Sequence, residues 1–297
     1  MAAHLFAAID VGSFELEMGI YETTSRNGLR EIDHLRHVIS LGRDTYHTGK
    51  ISYHLVDEMC QVLEEFAQVM KSYQVEDYRA YATSAMREAK NSQIILEQIR
   101  VRTGIQVQVI SNSEQRFLGY KAIAMKEAEF QKIIQKGTAI ADVSFGSLQI
   151  SLFDKDSLVS TQNIQQGILR LRENLSGVWS DRQTVLGIFE DMVDNELYAF
   201  KKMYLKDRDI KNLICIGESI LYLARDEVAG KRVDRISAAD FQKFYEKLIQ
   251  MPVDQIEDRF GVNQEYAHLL IPAAIIYKQI LEMTGAEMLW VPGIRMC

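Results

Sequence analysis

The stretch from Ile140 to Leu152, Ile-Ala-Asp-Val-Ser-Phe-Gly-Ser-Leu-Gln-Ile-Ser-Leu, constrains the fold most, because it reads as a strand, a tight turn and a second strand. An apolar run ends on Asp142, and the small residues Ser144, Gly146 and Ser147 turn the chain. Leu148, Ile150 and Leu152 then alternate with Gln149 and Ser151, the period of a half-buried strand. A near copy opens the chain: Leu5 to Ile9 leads to Asp10, Val11-Gly12-Ser13 turns it, and Leu16 to Tyr21 returns. A carboxylate at a strand end beside such a turn offers backbone N–H groups and an acid to a phosphate and its metal. Asp10 and Asp142 are therefore candidate metal-associated carboxylates. Gly12, Ser13, Ser144, Gly146 and Ser147 are candidate phosphate-binding residues.

A chain of 297 residues exceeds the usual size of one domain, so two domains of roughly 130 to 160 residues are expected. The 47% hydrophobic content is enough to bury two cores. There is no run of ~18 uncharged apolar residues, and the N-terminal residues enter Asp10 without a basic region or cleavage pattern. The expectation is a cytoplasmic protein with neither membrane span nor signal peptide. Cys60, Cys215 and Cys297 form no Cys-x-x-Cys pair, so they read as incidental thiols. His34 and His37, three apart in a strand, fall on opposite faces and do not form a metal pair. A formal charge of −7 argues against general nucleic-acid binding, and an anionic ligand must be drawn by a local cluster.

In order, the pattern predicts three meander strands at Leu5–Ile9, Leu16–Tyr21 and Leu29–Ile39, with Ser25-Arg26-Asn27-Gly28 as a hairpin turn. A polar loop from Leu41 to Lys50 follows, then an amphipathic helix from Tyr53 to Tyr73. Next come a strand at Tyr78–Ala82, a loop and helix start at Thr83–Ala89, a helix from Asn91 or Ser92 to Arg102, and a strand at Gln106–Ile110. The order then repeats: strands at Thr138–Ala141, Gln149–Phe153 and Leu158–Asn163, helices at Ile168–Leu175 and Arg182–Tyr204, and a strand at Asn212–Ile216. Helices at Ile220–Asp226, Ala238–Gln250 and Gln264–Thr284 precede a last strand at Met288–Val291. This predicts two similar α/β domains, 1–125 and 126–297, facing each other across a cleft, with helical Phe117–Gln135 as the crossing.

A duplicated order with an acidic hairpin in each half resembles the plan of the actin-like ATPase superfamily, whose domains are ribonuclease-H-like with mixed sheets. Within it the chain resembles the exopolyphosphatase / guanosine pentaphosphate phosphohydrolase (Ppx/GppA) family over nearly its full length. Ala8-Ile9-Asp10-Val11-Gly12-Ser13 is similar to the opening Ala-Ile-Asp-Leu-Gly-Ser, and Ala82-Thr83-Ser84-Ala85-Met86-Arg87-Glu88-Ala89-Lys90-Asn91 to Ala-Thr-Ser-Ala-Leu-Arg-Asp-Ala-x-Asn. Val109-Ile110-Ser111 leads where the family has Ile-Ser-Gly-x-Glu-Glu-Ala, and Asp142 to Gln149 takes the place of Asp-Ile-Gly-Gly-Gly-Ser-Thr-Glu. Gly217-Glu218-Ser219 stands where Gly-Ala-Ser-Gly-Thr is expected, and Val291 to Arg295 where the family reads Ser-x-Gly-x-Leu-Arg-Glu-Gly. The chain resembles the short two-domain form, without the added C-terminal helical domain of longer members.

The resemblance implies a cleft that holds a linear phosphoanhydride chain with magnesium, and a glutamate that activates water. It adds Gly217 to the phosphate-binding candidates and makes Arg87 a bidentate phosphate clamp. Arg43, Lys90, Arg170 and Arg295 could add to the cationic patch. It also puts Gln115 at the position of the water-activating glutamate, with Glu114 one place earlier. A glutamine cannot accept the proton, and a lost general base costs about 10² to 10⁴ in rate. Gln149 replaces the acid that ends the Gly-rich motif, and Phe145 replaces a glycine, which blocks approach of a phosphate and disfavours positive φ. Glu15 and Glu17, alternate residues on one face, read as a solvent-facing strand edge, with an acid dyad as the alternative. The expected function is binding of polyphosphate or guanosine penta- or tetraphosphate with hydrolysis weak or lost. The alternatives are an active phosphohydrolase with Glu114 as base and magnesium, and a non-enzymatic protein-contact scaffold. A homodimer is left open.

Overall fold

The structure, a computed structural model, describes residues 4–24, 28–126, 130–174, 182–206, 208–224 and 233–295. The chain separates into two compact units, the first running to Gln115 and the second spanning Arg116–Arg295. Among the described residues no helix is long and apolar enough to cross a membrane.

The first unit contains β1 (His4–Val11), β2 (Glu15–Thr24), β3 (Gly28–Val38), α1 (Leu41–Thr48), α2 (Tyr53–Ser72), β4 (Asp77–Ala82), α3 (Ser84–Glu88), α4 (Ser92–Thr103) and β5 (Gln108–Val109). Its sheet runs β3-β2-β1-β4-β5; the meander is antiparallel, and β4 and β5 add in parallel after helical crossovers. Opposed pairs Ala7–Ile20, Ile9–Met18 and Val11–Leu16 put six apolar side chains on one face. That face joins Val56, Met59, Leu63 and Phe66 of α2 and Ile95 and Ile99 of α4 in one core. Each such side chain withdrawn from water contributes about 1.5–3 kcal/mol. The other face carries Asp10 opposite Glu17 and Glu17 opposite Arg36.

In the second unit, α5 (Asn112–Lys126) carries the unit boundary and is followed by α6 (Phe130–Ile133), β6 (Thr138–Val143), β7 (Leu148–Asp154), β8 (Ser157–Ile164), α7 (Ile168–Asn174) and α8 (Arg182–Phe200). A π turn at Lys201–Leu205 leads on to β9 (Asn212–Ile216), α9 (Glu218–Leu223), β10 (Arg235–Ser237), α10 (Ala238–Leu248), α11 (Val253–Phe260), α12 (Gln264–Thr284) and β11 (Met288–Trp290). The sheet order is β10-β11-β9-β6-β7-β8. Without β10, this is the order of the first sheet with the same antiparallel and parallel pairs. α12 packs on one face of β6. The other face is covered by α5: Ile123 shares a core with Ile140, Phe153, Ile214 and Ile216, and Gly119 passes Ile216 so closely that a Cβ would lie 3.1 Å from it.

That corrects the half-buried reading of β7, because Gln149 and Ser151 are buried rather than facing water, Ser151 beneath Tyr120 of α5. Leu41 to Lys50 is also not a loop throughout. Leu41 and Thr45, one turn apart, are both buried, so the segment coils into α1 and stops at Gly49, whose φ of 74° no β-carbon favours. β5 is shorter than Gln106–Ile110 because the Gln106 amide meets the Tyr78 hydroxyl at 3.1 Å. α11 and β10 were not expected; α11 has only Ile256 and Phe260 as a buried pair, too short a run to show a period, and β10 is three residues. The expected hairpin turn at Ser25-Arg26-Asn27 lies outside the described residues, as do 127–129 of the crossing segment.

Candidate functional site

In the first unit the chain leaves β1 past Asp10 and turns at once. The Gly12 amide donates to Glu15 O at 3.0 Å, and a Cβ on Gly12 would sit 2.8 Å from that oxygen, so close approach requires the glycine. Ser13 is buried, and its Oγ lies 2.8 Å from Ser84 Oγ at the start of α3. The Tyr46 hydroxyl donates to Ser13 Oγ at 2.8 Å and lies 3.2 Å from Ser84 Oγ. Tyr46 comes from α1, so reading that helix as a loop hid it. Thus the opening motif and the Ala-Thr-Ser-Ala motif, 71 residues apart, meet through three hydroxyls.

Glu15 and Glu17 are not a solvent-facing edge: each is 4% exposed. The burial is possible because Arg36 on β3 reaches both, Nη2 2.5 Å from Glu15 and Nε 2.9 Å from Glu17, while His34 Nε2 stands 3.8 Å from Glu17. His37, on the opposite face of β3 from His34, pairs with Glu58 at 2.8 Å.

Arg87 is half-buried, and burial lowers its pKa, although a guanidinium stays charged. Its Nη1 donates to Ile110 O at 2.6 Å and its Nη2 to Asn112 Oδ1 at 2.5 Å. The expected phosphate clamp therefore grips the entry to α5. There Ser111 and Glu114 form a capping box: the Glu114 amide donates to Ser111 Oγ at 3.2 Å and the Ser111 amide to Glu114 Oε2 at 2.8 Å. The hydrogen bonds from Ser111 hold the Glu114 carboxyl below its usual range, and the side chain is exposed. Gln115, about 100° further round the helix, is 2% exposed. The Glu114 carboxylate thus faces outward and is engaged in the capping box, while the buried position beside it is the amide of Gln115.

In the second unit the Asp142 turn is closed by the Ser144 amide donating to Ser147 O at 3.0 Å, and the Ser144 hydroxyl donates to Asp142 Oδ1 at 3.1 Å. The turn's carbonyls receive the first amides of α7, Ile168 to Ser144 O at 3.1 Å and Leu169 to Phe145 O at 2.8 Å. Gly167 is required here, since a Cβ would lie 2.3 Å from the Ser147 nitrogen. Arg170 Nε donates to Gly146 O at 3.3 Å, which places one expected cation at the turn. Phe145 does not lie across the turn: its ring is buried edge-on against Tyr266 of α12, centroids 5.9 Å apart, and its φ is negative.

Gly217, φ 122°, lies against the end of β6, where a Cβ would be 2.4 Å from Val143 O. The Tyr277 hydroxyl donates to Ile216 O at 3.2 Å, and Arg295 pairs with Glu218 at 3.2 Å. Arg43 and Lys90 are exposed. Across β6, β7 and β8, Asp142 stands opposite Gln149 and Gln149 opposite Asn163. Next along the strands Ser151 and Thr161 lie 3.2 Å apart, the Tyr120 hydroxyl donates to Ser151, and Arg116 donates to Thr161 at 2.5 Å. Burial, with a smaller contribution from the Asp142 carboxylate, raises the Tyr120 and Tyr277 phenols.

Magnesium takes hard oxygen ligands, commonly one or two carboxylates with phosphate oxygens and water. Here Glu17 beside Asp10 is held by Arg36, and the neighbour of Asp142 is the neutral Gln149. Among the described residues no three His, Cys, Asp or Glu side chains converge on a common point. The Asp142 turn thus presents one carboxylate beside a neutral amide, and Asp10 stands beside a carboxylate already paired with Arg36.

Two sheets of the same order, each with an acidic turn at the end of its central strand, define an actin-like ATPase type of α/β protein. Residues 20–291 match the Ppx/GppA phosphatase family, and the chain belongs to it. Exopolyphosphatase 1 of Mycobacterium tuberculosis is 23% identical over 286 residues, covering 94% of this chain and 82% of that protein. The fold is similar to an exopolyphosphatase from Cytophaga hutchinsonii, with a TM-score of 0.84 at 18% identity over 97% of this chain and 93% of the other. It is also similar to the Aquifex aeolicus family member, with a TM-score of 0.74 at 22% identity over 98% and 94%.

Proposed function

We propose that this Ppx/GppA-family protein binds a linear phosphate chain, polyphosphate or guanosine penta- or tetraphosphate, with phosphoanhydride hydrolysis weak or lost. The observation that carries the reading is the first turn of α5, where Glu114 is spent on the capping box and the buried position next to it is Gln115. An amide has no lone pair basic enough to take a proton from water, and a positioned base is worth about 10² to 10⁴ in rate. Family membership and the relative named an exopolyphosphatase support the ligand class. So do the acidic turns at Asp10 and Asp142, the first turned at Gly12 and the second packed against Gly167, both positions where a Cβ would clash with backbone.

The test is phosphate release from polyphosphate and from guanosine pentaphosphate, alongside calorimetric binding of both. The expected result is binding with turnover near background, and a gain of about a hundredfold or more in Gln115→Glu. Turnover in the unmodified protein that Glu114→Gln abolishes would falsify the reading.

A further inference from the structure

Gln149 is 2% exposed, and neither its Nε2 nor its Oε1 has a hydrogen-bond partner among the described residues. Asn163 Oδ1, on the strand beside it, is also buried without a partner. Buried polar atoms are nearly always paired, so three such atoms on neighbouring residues mark a place that a polar group completes. The place is the Asp142 turn, since Gln149 stands directly across from Asp142, and Arg170 is fixed there on Gly146 O.

We infer that Gln149 and Asn163 contact the ligand at the Asp142 turn, and that this turn takes a phosphate group directly, with no divalent cation between them. The inference rests on the phosphate-chain reading given above. Two carboxylates side by side would repel a phosphate unless a cation neutralised them. With an amide at 149 one negative charge is gone, and Arg170, bonded to Gly146 O, brings a positive charge to the same turn. The amide also changes the kind of contact: Nε2 donates to a phosphoryl oxygen where a carboxylate could only bind the metal. The two orphan carbonyl oxygens, Oε1 of Gln149 and Oδ1 of Asn163, accept from a P–OH group or from a water carried with the ligand.

Two measurements on the full chain test this separately. Calorimetry with tripolyphosphate should give the same affinity within twofold in EDTA and in magnesium. Gln149→Glu should lose at least tenfold in EDTA and recover it with magnesium, and Asn163→Leu should weaken binding in both buffers. Loss of binding by the unmodified protein in EDTA would overturn the inference while leaving the phosphate-chain reading intact. Manganese titration of the ligand-free protein, read by electron paramagnetic resonance, needs no phosphate. The unmodified chain should show no specific site and Gln149→Glu should gain one. A tight manganese site in the unmodified chain overturns the inference whatever the calorimetry gives. Absence of tripolyphosphate binding in both buffers overturns the phosphate-chain reading and this inference with it, and a Gln149→Met protein with unchanged unfolding midpoint controls for loss of fold.

Discussion

Arg36 stands between two carboxylates that are each 4% exposed, its Nη2 2.5 Å from Glu15 and its Nε 2.9 Å from Glu17. A buried pair replaced whole by apolar groups is often neutral, whereas removal of one partner strands the other charge and costs about 3–5 kcal/mol. Arg36→Met should therefore lower the stability of the unmodified protein by an amount in that range. Combining it with Glu15→Gln and Glu17→Gln should recover most of the loss, as read by urea unfolding. Recovery of nothing would mean that Arg36 acts through packing alone. The residues of this cluster were visible in the sequence, but their pairing was not. Glu15 and Glu17 alternate like any exposed strand edge, and what reverses that pattern is an arginine on the neighbouring strand, placed by a register that no local signal specifies. Gln149 and Asn163 escaped for the same reason, since only strand pairing puts them side by side.

Among the elements, α5 shows how one local signature serves structure where chemistry was expected. Ser111-Asn112-Ser113-Glu114 has the Ser-x-x-Glu spacing of a capping box, and the structure forms it. Loss of the cap in Ser111→Ala should cost about 1 kcal/mol near neutral pH. The Glu114 half of the box has a sign in pH. Hydrogen bonds from Ser111 hold its carboxyl below the usual glutamate value of about 4.5 in the folded protein. The stabilisation is thus full above that value and disappears as the pH falls below it through the lower folded pKa. The difference in unfolding midpoint between Glu114→Gln and the unmodified protein should be present at pH 7 and vanish in the acid range. A difference that grows on acidification would contradict the capping role. α1, like α11, was not legible as a helix: eight residues with three buried positions give too little periodicity, and the Gly49 stop signal is equally that of a loop.

At the scale of the whole molecule the duplication carried the fold. Two acidic turns, each followed by a returning strand and then by helix and strand in the same order, leave few arrangements open, and the two sheets share the order of five strands. What the pattern does not encode is the second layer on the β7 face, because burial under α5 is a property of packing and not of alternation. A chain with a formal charge of −7 gains nothing from its overall field when it takes a polyanion, so binding must come from the fixed local groups and appear as a stability change. A ligand that binds the folded state only stabilises by RT ln(1 + [L]/Kd), about 2.7 kcal/mol at a hundred times Kd. For a protein of this size that is a rise of several degrees in Tm. Tripolyphosphate should therefore raise the Tm in a concentration-dependent way, and equally in Gln115→Ala, since the lost base is not what holds the ligand. Arg170→Met should reduce the rise, because the positive charge anchored on Gly146 O is then gone from the turn that takes the phosphate. If Arg170→Met leaves the rise unchanged while Gln115→Ala abolishes it, the ligand is held at the start of α5 and not at the Asp142 turn.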